Sequence, residues 1–173
     1  MTEHVILVDA DDVEMGTMPK MEAHLEGKLH RAFSVFIFNS GGELLLQRRA
    51  LDKYHSGGQW TNTCCSHPRE GEDTLLAAQR RLMEEMGMIA DLSHEFSFLY
   101  KAELSNGLTE HEYDHVFFGI TDQVPDPDPE EVADFRYLQL AVLQEELNVH
   151  PEQYTEWLKI CFDRVLSSYS KIF

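Results

Sequence analysis

The stretch WTNTCCSHP, residues 60–68, sets two cysteines side by side with a histidine two places on. Such a thiol pair can form a disulfide, clamp a metal, supply a nucleophile or fill a core. The chain holds three cysteines, an odd count, with no C-x-x-C spacing. Neighbouring residues make poor disulfide partners, so reduced thiols are expected. A second stretch, TEHEYDH (residues 109–115), carries two more reactive groups. On a strand, Glu110 and Glu112 point to one side and His111 to the other, with the two carboxylates ~7 Å apart. That spacing suits a cation; the competing reading is an exposed polar edge. His24 and His30 flank LEGKL ahead of an apolar run, and His67 follows the cysteines. Three imidazoles and two carboxylates together would suit Zn2+, Mn2+ or Fe2+ better than Mg2+, although spacing alone does not bring them together. Lys20, Arg49, Lys53 and Arg81 lie near these segments. They read either as an anion site or as ordinary surface ion pairing.

The bulk numbers limit what these groups serve. The chain has 173 residues, 43% apolar and 26% charged, enough for one domain with a sizeable core. A net charge of −17 argues against nucleic acid or an anionic membrane as partner. A small anionic substrate would need a local basic cluster or bridging cations. No apolar run approaches the roughly 18 residues of a membrane span. The opening MTEHVILVDADD lacks the basic and apolar blocks of a signal peptide, so a cytoplasmic location is expected.

These groups need a scaffold. HVILVDA (4–10) reads as a first strand. LHRAFSVFIFN (29–39) and ELLLQRRA (43–50) are apolar strand-like runs joined by SGG, a hairpin signal. A glycine-rich loop, DKYHSGGQW (52–60), leads to the cysteines. In GEDTLLAAQRRLMEEMG (71–87), Leu75, Leu76, Gln79, Leu82, Met83 and Met86 follow helical spacing, with Asp73 or Thr74 as cap and Gly87 as stop. EFSFLYKAEL (95–104), EYDHVFFGI (112–120) and DFRYLQL (134–140) read as strands. DQVPDPDPEEV (122–132) reads as an acidic loop broken by prolines. From Pro151, a long amphipathic helix places Tyr154, Trp157, Leu158, Cys161, Phe162, Val165, Leu166 and Tyr169 on one face. The expected fold class is α/β (α+β), a single domain over residues 1–173 with a mixed sheet layered between helices.

Glu72, Arg80, Glu84, Glu85 and Gly87 resemble the signature of the Nudix family, in which a loop and helix hold glutamates that bind Mg2+ on a diphosphate. Ser66 stands at that pattern's opening glycine. Arg81 replaces the first glutamate of its helical core, where an arginine suits phosphate better than metal. Taken together, RAFSVFIFN, LLLQRRA, GGQWTNTCCSHPREGE, RRLMEEMG and EHEYDHVF resemble the type I isopentenyl-diphosphate isomerases over nearly the whole chain. The resemblance implies a Nudix-like fold and conversion of isopentenyl to dimethylallyl diphosphate in isoprenoid precursor supply. It implies a Mn2+ or Zn2+ site on His24, His30, His67, Glu110 and Glu112. It also implies Mg2+ bridging the substrate diphosphate to Glu85 and the Cys65 backbone carbonyl, with no flavin.

By the same resemblance, Cys65 and Glu112 are the opposed proton-transfer pair and Tyr100 hydrogen-bonds Glu112. Trp157 faces a carbocation, and Lys20, Arg49, Lys53 and Arg81 surround the diphosphate. Cys64 falls where the family needs no thiol, so it reads as a small buried residue facing the other way. Core packing accounts for Trp157 equally well. Ser66 replaces the glycine usual between the family's cysteine and histidine, and Glu84 ranks below Glu85 as a ligand. A small isoprenyl diphosphate is the expected partner, and a monomer or weak homodimer the expected state. A Nudix-type hydrolase of nucleoside diphosphate derivatives and a non-catalytic binding protein are the competing expectations.

Overall fold

Alternation along one strand sets the architecture. In the computed structural model, which describes residues 2–173, β3 (His30–Phe38) sends Ser34, Phe36 and Phe38 to one face and Phe33, Val35 and Ile37 to the other. Both faces are covered, so the strand reads as a continuous apolar run. β1 (His4–Val8) pairs with β2 (Glu14–Pro19) and meets β3 at Leu7 and His30. β8 (Thr109–Ile120) lies parallel to β3 with His30 opposite Glu112. β7 (Ser93–Glu103) pairs antiparallel with β8, setting Tyr100 opposite Glu112. On the other side of β3, the short β6 (Cys64–Ser66) sets Cys65 opposite Ser34.

The expected SGG hairpin forms only at its tip. β4 (Leu44–Arg49) pairs with β3 only at Leu44 and Phe38, then diverges to β5 (Trp60–Thr61) and β9 (Val132–Leu138). The segment Asn62–Thr63 wedges into the opening and satisfies the backbone on both sides. The Thr63 hydroxyl accepts from Ile37 N (2.9 Å) and donates to Leu45 O (2.6 Å), while the Asn62 amide donates to Val35 O (3.0 Å). The Gln47 amide donates to Thr63 O at 2.8 Å. Buried backbone groups require such partners, which explains why the polar TNT run sits in the interior.

Helices cover the two faces. α1 (Lys20–Glu26) and α2 (Thr74–Met86) both end at left-handed glycines, Gly27 and Gly87; α3 (Leu140–Val149) and α4 (Glu156–Tyr169) follow β9. The Asp73 side chain caps α2 at Leu76 N, 3.2 Å away. Phe36, Phe38 and Phe118 pack against Leu158, Phe162 and Val165 of α4. Phe33, Val35, Ile37 and Cys64 pack against Ala77, Ala78, Leu82 and Met86 of α2. The mixed sheet between helices matches the layered class expected from sequence.

Three local expectations are corrected. The buried face of α2 is Ala77, Ala78, Leu82, Glu85 and Met86, while Leu76 and Met83 are exposed. Two alanines let the helix approach the sheet closely, and that turns the larger apolar residues outward. Tyr154 is fully buried but precedes α4, because Pro151–Gln153 forms a 3-10 turn and Tyr154 bridges to Trp60. β2, α1 and α3 were not anticipated as elements; KMEAHLE in α1 is too short and too polar to show helical periodicity.

Candidate active site

The alternation of β8 turns Glu110, Glu112 and Asp114 toward the α4 face, and all three are buried. His111 points the other way and contacts Gly27 O at 2.9 Å. Around this acidic row, α1 contributes His24, β3 contributes His30 and the segment after β6 contributes His67. His30 Nε2 and His67 Nε2 lie 3.1 and 2.8 Å from Glu112 Oε2, and His24 Nε2 lies 3.3 Å from Glu110 Oε1. The ligand atoms of His24, His30, His67 and Glu112 all fall within 4.8 Å of one another. Thus the five residues, drawn from four segments, do meet.

The histidine tautomers bear on what this cluster holds. His24 Nδ1 is 2.7 Å from Lys20 O, and His30 Nδ1 is 2.8 Å from Lys28 O. A carbonyl only accepts, so each Nδ1 carries a hydrogen and, in the neutral ring, leaves Nε2 as a bare lone pair. Those lone pairs point at carboxylates, and His24 Nε2 is buried with no hydrogen-bond partner among the described residues. A proton or a metal cation must lie between such groups. Without metal, burial disfavours the charged His24 ring, but Glu110 outweighs it and raises the pKa. Burial opposes ionisation of Glu112 too, yet His30 and His67 hold it well below the usual carboxylate range. For His67, burial prevails over Glu112 and lowers the pKa. An imidazole-rich, charge-balanced set of this kind fits a divalent transition metal.

Cys65 faces the same interior. Trp157 Nε1 donates to its Sγ at 3.1 Å, and the thiol lies 3.1 Å from Asn62 Oδ1, which it can donate to. Ser34 Oγ is 3.6 Å from the sulfur and donates to Asp114 Oδ2 at 2.8 Å. Burial, with Asp114 nearby, pushes the Cys65 thiol up, so it stays protonated. The Tyr100 hydroxyl donates to Glu112 Oε1. Cys65, Glu112, Asp114 and Trp157 line one cavity of about 40 Å³. Cys64, on the opposite face of β6, donates to Glu85 Oε2 at 2.8 Å.

A second cavity, about 110 Å³, abuts the first at Cys65 and His67 and is lined by Lys20, Arg49, Lys53, Arg81 and Glu85. Each lysine rests on a carboxylate, Lys20 on Glu3 and Lys53 on Glu131, and Arg81 reaches Glu84, Glu85 and Glu131. Arg49 Nε is buried with no partner among the described residues, and its guanidinium lies 5.4 Å from the Trp157 ring centroid. Glu84 is exposed and pairs with Arg80 and Arg81 away from this cavity. Arg80 also forks onto Glu72 at 2.9 and 2.8 Å, which ties the loop before α2 to its helix. Ser66 is extended and pairs with Phe33, so its side chain introduces no backbone strain.

The model of the NUDIX domain matches residues 28–158. Isopentenyl-diphosphate Delta-isomerase 1 of Aromatoleum aromaticum is 53% identical over 167 residues, covering 96% of this chain and 94% of that one. The chain belongs to the isopentenyl-diphosphate Delta-isomerase family of the Nudix superfamily. A second family member, from Pectobacterium atrosepticum, is 52% identical over 93% of this chain and 90% of its own length. A solved Deinococcus radiodurans protein, 20% identical, superposes with a TM-score of 0.79 over 94% of this chain and 98% of that one, a likeness of fold.

Two residues of this family member escaped the sequence reading. Asp114 continues the alternation of Glu110 and Glu112, a signal that was present. His55, from the loop after β4, places Nε2 2.5 Å from Glu110 Oε1; a lone histidine in a glycine-rich loop carried no such signal. Cys64, expected as a small buried residue facing the other way, is buried there and donates to Glu85. Burial and the neighbouring Glu112 push the Asp114 carboxyl well above the usual range. It therefore keeps its proton when folded at pH values where the unfolded chain, near ~3.9, has lost it. Stability from this group is complete below the unfolded value and falls as pH rises toward the folded one. In the metal-free protein, Asp114→Asn, which keeps an acceptor for Ser34, is expected to raise Tm, and by more at pH 8 than at pH 5. Thermal melts at the two pH values check this; an equal or reversed gain would contradict it.

Proposed function

We propose that the protein isomerises isopentenyl diphosphate to dimethylallyl diphosphate. The observation that carries this reading is the abutment of two cavities: one presents a protonated thiol and an ionised carboxylate, the other gathers four cations. The curated relatives bear the same activity in their names. In the reaction, one proton is added at the terminal alkene carbon and one is removed from the carbon beside the oxygen-bearing one. No bond to oxygen or phosphorus changes.

An unactivated alkene is a very weak base, and its protonation gives a tertiary cation that water would quench. The site must therefore be dry and must carry an acid and a base. Cys65 and Glu112 serve as that pair, one holding its proton and the other lacking it, and one turnover exchanges their states. Tyr100 steadies the Glu112 carboxylate. Trp157, itself 4% exposed, excludes water and offers a π face to the cation. Lys20, Arg49, Lys53 and Arg81 bind the diphosphate, and Lys20, Lys53 and Arg81 release their present carboxylate partners as they do so.

His24, His30, His67, Glu110 and Glu112 would hold Mn2+ or Zn2+, and Glu85 with the Cys65 carbonyl would hold Mg2+ brought with the diphosphate. These ions supply charge that tunes the acidity of Glu112 and neutralises the substrate.

Incubation with isopentenyl diphosphate, Mn2+ and Mg2+ is expected to yield the acid-labile allylic isomer with no phosphate release. Phosphate without isomer would favour a hydrolase, the chemistry of several fold neighbours such as a MutT Nudix hydrolase of Burkholderia pseudomallei (TM-score 0.61, 18% identical over 79% of this chain and 98% of that one). No turnover by metal-replete protein would favour a binding protein.

A further inference from the structure

We propose that His55 is a positioning residue: its Nε2–H holds Glu110 Oε1 and fixes the aim of that carboxylate at the metal site. The inference rests on the metal site proposed above.

Ligand atoms of His24, His55 and Glu110 lie within 4.8 Å of one another, and three observations argue that His55 serves Glu110 rather than a metal. The first is the other face of the ring. Nδ1 of His24 and of His30 meets a backbone carbonyl, which leaves Nε2 bare for a metal. His55 Nδ1 instead lies 3.1 Å from the Ser56 hydroxyl, a group that can donate. A hydrogen on Nε2, 2.5 Å from Glu110 Oε1, leaves Nδ1 free to accept from that hydroxyl, so one tautomer satisfies both contacts. The second is enclosure. The His55 ring is 5% exposed and stands edge-on to Trp157 (centroids 5.9 Å, 84°) and to Tyr54 (4.3 Å, 78°). The imidazole cannot swing away from Glu110 without disturbing both aromatic rings.

The third is the backbone of the loop. Ser56 adopts φ 53, the left-handed region that a non-glycine residue rarely enters. At Gly57 a Cβ would stand 2.5 Å from Leu51 O, so only glycine allows the chain to fold back this tightly. Arg49 Nη2 further ties the loop by donating to His55 O at 3.2 Å. An unusual φ and a close approach are thus concentrated on the two residues that follow His55, and they define the path of the loop that carries its ring.

A metal-bound carboxylate whose other contacts are loose can rotate between binding modes. Partners that orient ligating groups typically change metal affinity by about 10–100-fold when removed. The Glu110 side of the cluster needs such a partner, because His24 Nε2, once it ligates the metal, cannot also donate to that carboxylate.

The test is Mn2+ binding by the purified full-length protein, followed by electron paramagnetic resonance, with His55→Ala and His55→Gln. Alanine removes the donor, whereas glutamine restores an N–H of similar reach. His55→Ala is expected to bind Mn2+ about 10–100-fold more weakly than the wild type, and His55→Gln to recover most of that loss. Pulsed measurements of nitrogen coupling should report the same imidazole ligands, His24, His30 and His67, in the wild type and in His55→Gln. Unchanged affinity in a folded His55→Ala protein overturns the proposal. So does loss of one coupled imidazole nitrogen in His55→Gln, which would make His55 a ligand. If His55→Ala does not fold, His55→Gln decides through its affinity and nitrogen count. A wild-type protein that binds no Mn2+ would instead remove the underlying metal-site reading, and this inference with it.

Discussion

Cys65→Ala is expected to leave a folded, metal-binding protein that isomerises its substrate ~10³-fold or more slowly, within the range that loss of an acid–base group produces. The thiol is held by Trp157 Nε1 at 3.1 Å and faces the cavity that Glu112 also lines. An alanine leaves the strand pairing of β6 intact, because Cys65 contributes to it only through its backbone, opposite Ser34. The informative companion is Cys64→Ala. That sulfur lies on the other face and donates to Glu85 Oε2 at 2.8 Å. Its removal should raise the Mg2+ needed for half-maximal rate by about tenfold while the rate at saturating Mg2+ changes little. Steady-state rates across a Mg2+ titration distinguish the two variants. A dead Cys64→Ala enzyme beside an active Cys65→Ala enzyme would reverse the assignment of faces to function.

Glu112→Gln should be comparably severe and should fail in two measurements at once. Three groups converge on this one carboxylate: His30 Nε2 at 3.1 Å, His67 Nε2 at 2.8 Å and the Tyr100 hydroxyl. An amide has one acceptor oxygen, carries no charge and cannot take up or give back a proton at neutral pH. The expected result is a turnover loss of ~10³-fold or more together with clearly weaker Mn2+ binding. If Mn2+ affinity falls while turnover at saturating Mn2+ stays near wild type, Glu112 is a ligand without a part in proton transfer. Tyr100→Phe, which removes one hydroxyl, should be milder in both assays.

What could be read from the chain beforehand followed from periodicity. The alternation in TEHEYDH placed Glu110 and Glu112 on one face, and the apolar runs located β3 and β4 to within one residue at each end, while β8 begins three residues before its apolar run. The split of the two cysteines followed from the spacing to His67 and the resemblance, and β6 then sets their side chains on opposite faces. Less legible was anything decided by packing between distant segments. The stripe on α2 was misjudged because small alanines, rather than the larger Leu76 and Met83, pack on the sheet. The SGG hairpin opened after one residue pair because Asn62 and Thr63 supply hydrogen bonds that no local pattern announces. His55 stayed invisible for a similar reason: its role depends on a tautomer and on a loop folded against Leu51, neither of which leaves a periodic trace.

The Asn62–Thr63 wedge has a consequence for how mutations of length, rather than of type, should act. It pins the phase of a three-residue strand that has little pairing of its own. Inserting one residue between Trp60 and Cys64 would leave the letters CCSH untouched and yet rotate them by half a repeat. Cys64 would then look into the proton-transfer cavity, and Cys65 would look toward α2. An enzyme inactivated by such an insertion could regain its chemistry by a compensating deletion nearby, with no change to either sulfur. Function at this strand is therefore indexed by parity, odd or even, as much as by residue identity.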